Sequence, residues 1–176
     1  MRTPYLVPIL FAGLFLFTYT AVQQQYRQNA NDPQIQMAED AAAALKDNQP
    51  YTSVLPGGSV DMATSLAPYV IVMDQNGKVL ASNVHLGSDV QTTPPAGTLT
   101  YARKHGEDRF TWQPRKDVRQ AAILIPFQNS EIRGYVLAGR SLRVVEQNEN
   151  DLGKLAIAAL LAMAALWLGL NRFAKR

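Results

Sequence analysis

Two arginines set in apolar strand-like stretches are the side chains best placed to do chemistry. In residues 118–127 (VRQAAILIPF), strand alternation puts Arg119 on one face with Ala121, Ile123 and Ile125. In residues 134–142 (GYVLAGRSL), Arg140 shares a face with Val136, Ala138 and Leu142. A lone cation on such a face is costly unless it is paired or close to an edge. For Arg119 two readings stand. One is structural, a salt bridge with Asp117 or Glu107 or an edge side chain reaching water. The other is a clamp for an anion or carboxylate at a cavity mouth. Arg140 lies nearer the end of its stretch, where a structural pair with Glu146 or an acidic residue of an earlier helix fits better. Trp112, Tyr101 and Tyr135 complete a candidate ligand-binding set of Arg119, Trp112, Tyr101, Tyr135 and Arg140, although aromatic residues on strands more often belong to a core.

Catalytic groupings are missing from the sequence. It holds no G-x-S-x-G, no cysteine and two histidines, His85 and His105, at no metal-ligand spacing. Both histidines read as solvated loop residues, Asp74 as a turn cap, and Glu107 and Asp108 as solvent-facing. Gly134 and Gly139 read as sites of close backbone approach or a bulge rather than a phosphate cradle. No catalytic residue, metal ligand or cofactor is therefore assigned, and the expectation is that the chain is not an enzyme. The absence of cysteine excludes a disulfide framework and a thiolate zinc site, and leaves an oxidising compartment open.

The formal charge of +3 comes from the ends. Of 17 Lys and Arg, four are terminal (Arg2, Arg172, Lys175, Arg176), which leaves 13 against 14 acidic residues, a net of −1. A nearly neutral middle offers no basic face for tracking phosphates, so no nucleic-acid partner is expected.

Hydropathy sets the frame. Residues 155–170 (LAIAALLAMAALWLGL) carry no charge, and with Leu152 and Phe173 they approach the roughly 20 residues needed to cross a hydrocarbon core about 30 Å thick. Residues 5–22 (YLVPILFAGLFLFTYTAV) are also uncharged. Bulky Tyr19 sits where a signal peptidase needs a small residue, and the run exceeds the ~7–15 residues of a signal core, so an uncleaved anchor is expected over a cleaved leader. The cations at 172–176 place that end in the cytoplasm, and two spans return residues 1–4 to the same side. The expected layout is a cytoplasmic N-terminus (1–4), a first transmembrane helix (5–22), an extracytoplasmic domain (23–154), a second transmembrane helix (155–170) and a short basic cytoplasmic tail (171–176). The lipid bilayer is thus an expected partner.

Within the outer part, Asp32 and Pro33 can open a helix whose Ile35, Ala38, Ala42 and Leu45 form an apolar side, ending before Pro50. Residues 60–66 predict a short second helical turn. Residues 69–74 (YVIVMD) and 79–82 (VLAS) flank Asn76-Gly77 as a hairpin. Residues 84–97 read as an irregular loop, 98–105 as a short helix, and 109–113, 118–127 and 132–142 as three more strands. The last strand passes without a Gly/Pro linker into a polar helical segment, 143–154, and then into the second span.

This order of elements, with the hairpin YVIVMDQNGKVLAS and the exit GYVLAGRSL into a helix, resembles the extracytoplasmic PAS-like sensor domains (PDC or single Cache type) of bacterial membrane receptors and sensor kinases. The likeness covers about residues 23–154. It implies an α+β fold, a five-stranded antiparallel PAS-like sheet with flanking helices, a ligand cavity on one sheet face, and dimers that signal through membrane helices. The chain departs from the pattern after its second span, where residues 171–176 leave no room for a HAMP linker, kinase or methyl-accepting domain. Output would therefore pass to a homodimer or to a separate membrane signalling protein. Three functions are expected to compete: a receptor-like sensor for a small-molecule or protein ligand, an envelope scaffold with no signal crossing, and, least supported, an envelope hydrolase.

Overall fold

In the computed structural model, residues 6–29, 32–87 and 93–173 are described. The Asp32 side chain, loop residues 88–92 and the terminal cations Arg2, Lys175 and Arg176 lie outside the described residues. The chain forms two compact units, one of residues 30–143 and one of residues 1–29 with 144–176.

The first of these is an α+β unit. Helix α2 (Asp32–Lys46) turns a stripe of Ala38, Ala41, Ala42 and Leu45 inward, as the three-and-four spacing dictates. It is stopped by Asn48, whose φ of 60° is tolerated because its short polar side chain suits the left-handed region. Five strands follow as one sheet in the order β3-β2-β7-β6-β5: β2 (Tyr69–Asp74), β3 (Val79–Ser82), β5 (Asp108–Arg115), β6 (Val118–Gln128) and β7 (Arg133–Ser141), every neighbouring pair antiparallel. The central strand is β7. Helix α3 (Ala96–His105) covers one face through Ala102 and Leu99, and α2 covers the other. Burial on both faces is why β2, β6 and β7 are written as nearly continuous apolar runs. Pro114 falls in the edge strand β5, where a missing N–H costs no ladder bond. The five-stranded antiparallel sheet with helices on both faces fits a generic PAS-like fold.

Residues 60–66 make the expected helical turn only over 61–65, where the Thr64 and Ser65 N–H groups donate to Asp61 O at 3.2 and 2.8 Å. They begin as β1 (Val60–Asp61), paired in parallel with β4 (Val84–His85), and then bend. The cause is long-range: the Val60 N–H donates to Asn83 O at 2.8 Å and the Met62 N–H to His85 O at 2.9 Å, which holds the backbone extended. The expected loop at 84–97 likewise opens with β4, and α3 starts two residues earlier than expected.

The second unit contains α1 (Leu6–Asn29) and, after its first residue, α4 (Arg143–Phe173). Ile9, Leu10, Phe11, Leu14, Leu16 and Phe17 of α1 are exposed, and the Thr18 and Thr20 hydroxyls donate to the Leu14 and Leu16 carbonyls at 2.9 and 3.0 Å. In α4 the polar and apolar segments are one unbroken helix. Among the described residues, one helix is long and apolar enough to cross a membrane by length and composition, residues Arg143–Gly169, in which an 18-residue window reaches a mean hydropathy of 1.9.

Candidate functional site

The face under α3 carries the most unusual chemistry. Hydrogen-bond register sets its rows: Phe110, Ala122, Gly139 and Tyr69 lie side by side across four strands, and Trp112 lies beside Gln120 in the next row. Gly139 is required there, because a Cβ would sit 2.5 Å from the Tyr69 hydroxyl oxygen and 2.6 Å from Cζ. The Tyr69 ring lies across the glycine and is fully buried, as are Gln120 and, nearly, Trp112. Three polar atoms on this face have no hydrogen-bond partner among the described residues: the Tyr69 hydroxyl, the Trp112 indole Nε1 and the Gln120 Oε1. Burial pushes the Tyr69 hydroxyl far above the ordinary tyrosine range; the Trp112 indole pulls weakly the other way, although the two fall short of hydrogen-bond geometry. An indole donor, an amide acceptor and a hydroxyl able to do either make a set that can hold one small polar molecule. Leaving such groups unpaired costs about 1–3 kcal/mol each.

Gln120 also links this face to the start of α4. Its Nε2 donates to Met62 O at 3.1 Å. The next two carbonyls, of Ala63 and Thr64, accept from the Arg143 guanidinium at 3.4 and 2.8 Å. The bend is locked by Asp61, whose carboxylate accepts from the Ala63 N–H at 2.9 Å and the Thr64 hydroxyl at 3.2 Å. The Ala63 N–H above all holds the Asp61 carboxyl below its ordinary value; desolvation opposes it, and Thr64, Gly87 and His85 add smaller lowering effects. Leu142 is the sole residue between β7 and α4, and its N–H donates to Arg119 O at 3.0 Å.

The five sequence-predicted residues do not meet in one place. Trp112 and Tyr135 are on the α3 face, while Arg119 and Arg140 belong to the α2 face with Ile123, Val136 and Ala138. A cavity faced by both Arg119 and Trp112 is therefore excluded by the register, which sets Trp112 opposite Gln120. Arg119 is exposed at its strand end, where the cost of a buried cation does not arise. Arg140 is half-buried, and its Nε is buried without a hydrogen-bond partner. Tyr101 is 51% exposed and stacks on His105 with ring centroids 4.0 Å apart, because Ala102, one residue on, is the helix position that faces the sheet. The Tyr135 hydroxyl accepts from Arg103 Nε at 3.0 Å.

Other local readings can be placed as well. Asp74 Oδ1 accepts from the Asn76 and Lys78 N–H groups at 2.8 and 2.9 Å, the expected turn cap. Glu107 pairs with Arg109 at 2.8 Å. His85 is in β4, with Nδ1 3.0 Å from Ser59 Oγ, rather than in a loop. The Asp108 carboxyl is raised from its ordinary value, chiefly by partial burial, with His105 opposing. Sequence reasoning passed over Tyr69, Gln120 and Arg143. For Gln120 the signal was available: a lone amide in phase with Ala122 and Leu124 on an otherwise apolar strand face.

No protein-family model and no curated protein matches the chain. Among solved structures it is similar to the crystal structure of the E. coli DhaR(N)-DhaL complex, at 12% identity and a TM-score of 0.33, over 90% of this chain and 57% of that one. This chain thus spans a little over half of that chain's length, and a likeness at this TM-score carries no argument.

Proposed function

We propose that the chain is a membrane-anchored receptor-like sensor of the bacterial cell envelope, with an extracytoplasmic PAS-like domain of the PDC or single Cache type between two membrane helices. The observation that carries this reading is the chain of contacts from Gln120 through the carbonyls of Met62, Ala63 and Thr64 to Arg143, the first residue of α4. A small polar ligand bonded by Tyr69, Trp112 and Gln120 Oε1 moves the Gln120 side chain, whose Nε2 holds Met62 O, and through the 62–64 bend changes the hold on Arg143. Shifts of an ångström or two in a helix are of the size that carries signals across interfaces. The exposed apolar side chains of α1 and the internally bonded hydroxyls of Thr18 and Thr20 support residues 5–22 as the second anchor. Output then passes within a homodimer or to a separate membrane signalling protein.

The test uses cysteines introduced along residues 155–170 of the full chain in vesicles, crosslinked with and without a metabolite panel that has first been screened for thermal stabilisation. Ligand-dependent crosslinking that disappears in Gln120→Leu and Arg143→Ala is the expected result. Stabilisation with unchanged crosslinks, or no stabilisation by any metabolite, leaves the envelope-scaffold reading instead. Protease added to spheroplasts checks the topology: residues 23–154 should be digested, and their protection would overturn it.

A further inference from the structure

A cleft lies at the far end of the sheet from the exit of β7. It holds about 400 Å³ and is bounded by Lys46 at the end of α2, Arg103 in the last turn of α3 and Arg133 at the start of β7. Gln75, from the hairpin turn, and Gln128, paired with Arg133 across the β6–β7 ladder, add neutral amides. Tyr135 lines it too, four residues along β7 from Gly139, or about 13 Å at the rise of a strand. This site is therefore distinct from the Tyr69, Trp112 and Gln120 cluster and does not rest on the sensor reading.

Three cations from three separate elements converge on this cleft, and no carboxylate is among its lining residues. The adjoining groove, which shares Gln75, Gln128 and Arg133 with it, is lined by Asp74 and Glu131, and the Asp74 carboxylate already accepts two backbone N–H groups. Arg103 is held by its Nε–H on the Tyr135 hydroxyl, and Tyr135 is itself buried, so the guanidinium is oriented by the core while its two Nη groups remain for a ligand. Like charges gathered around a concave surface focus a positive field, which an entering anion relieves. We propose that the cleft bounded by Lys46, Arg103 and Arg133 binds a small oxyanion carrying at least two negative charges, held by bidentate contact from Arg103 and by the point charges of Arg133 and Lys46.

The experiment follows thermal unfolding and calorimetric binding of the full chain in neutral detergent micelles, with citrate and inorganic phosphate as soluble probes. Sodium chloride at matched ionic strength serves as the screening control, and micelles doped with phosphatidylglycerol serve as the lipid arm. Citrate or phosphate should raise the melting temperature where sodium chloride does not. Arg133→Gln and Lys46→Met should each raise the dissociation constant for the active probe, and Arg103→Gln should raise it by roughly 10- to 100-fold, the loss of a charge-assisted contact. If Arg103→Gln unfolds because Tyr135 loses its partner, Arg133→Gln with Lys46→Met carries the test, since both side chains are exposed. The proposal is overturned if neither soluble anion stabilises beyond sodium chloride, if the response is confined to phosphatidylglycerol, or if the double variant binds as the native chain does.

Discussion

Replacing Tyr69 by Phe puts the buried polar cluster to its sharpest test. The ring is 1% exposed and lies over Gly139, and its hydroxyl has no hydrogen-bond partner among the described residues. Phe keeps the ring and deletes the hydroxyl, so packing is conserved and a desolvation cost of about 1–3 kcal/mol is removed. The free protein should gain about 1 kcal/mol or more. For a domain of this size that is an increase of roughly 3–5 °C in melting temperature. The assay is a thermal melt of the full chain in neutral micelles at pH 7, read by near-UV circular dichroism. An alkaline series adds an independent readout. Burial raises the Tyr69 pKa above its unfolded value, so the folded state favours the neutral phenol; the native chain keeps this contribution below about pH 10 and loses it as pH rises further, whereas Tyr69→Phe lacks that loss. A fall in melting temperature of about 3 °C or more at pH 7 would refute the reasoning. It would mean that the hydroxyl is already bonded in the free protein and is not available to a ligand.

Three further outcomes follow from the same geometry. Gly139→Ala forces a methyl group to within 2.5 Å of the Tyr69 hydroxyl oxygen, and should destabilise by about 1–3 kcal/mol in urea unfolding, less when combined with Tyr69→Leu. Asp61→Asn should cost stability at pH 7 but little at pH 3; the depressed carboxyl contributes fully above its unfolded pKa of about 3.9 and loses that contribution as pH falls through the folded value, so equal cost at both pH values would discount the cap. Arg143→Ala should speed amide exchange at Thr64 and Ser65, whose N–H groups donate to Asp61 O in the bend, with a global loss below about 1.5 kcal/mol; unchanged exchange there would break the proposed link to α4.

Most elements were legible because each depends on neighbours in sequence. Short apolar runs on either side of Asn76-Gly77 mark β2 and β3 at the residues observed, and β6 extends only one residue beyond its expected end. Three-and-four spacing marks α2 with the inward residues it uses. The strand pairing at residues 60–62 is not legible locally, because the partners that extend them, Asn83 and His85, lie more than twenty positions away and leave no trace in the local pattern.

The candidate site shows the same division more sharply. From its own sequence each strand declares two faces, and Arg119 with Ile123, or Trp112 with its alternate neighbours, could be read directly. Alternation inside one strand says nothing about its phase against the next. Hydrogen-bond register decides that phase, and here it places Trp112 beside Gln120, sends Arg119 and Arg140 to the face of α2, and draws the ring of Tyr69 across Gly139. Sequence alone therefore determined the five strands of the main sheet, the helices and the apolar segments, which follow from short-range pattern, but not the short pair β1 and β4. Which side chains share a face, and which carbonyls meet the Arg143 guanidinium, was decided by tertiary structure, because ladder register and loop closure bring together residues that local spacing does not relate.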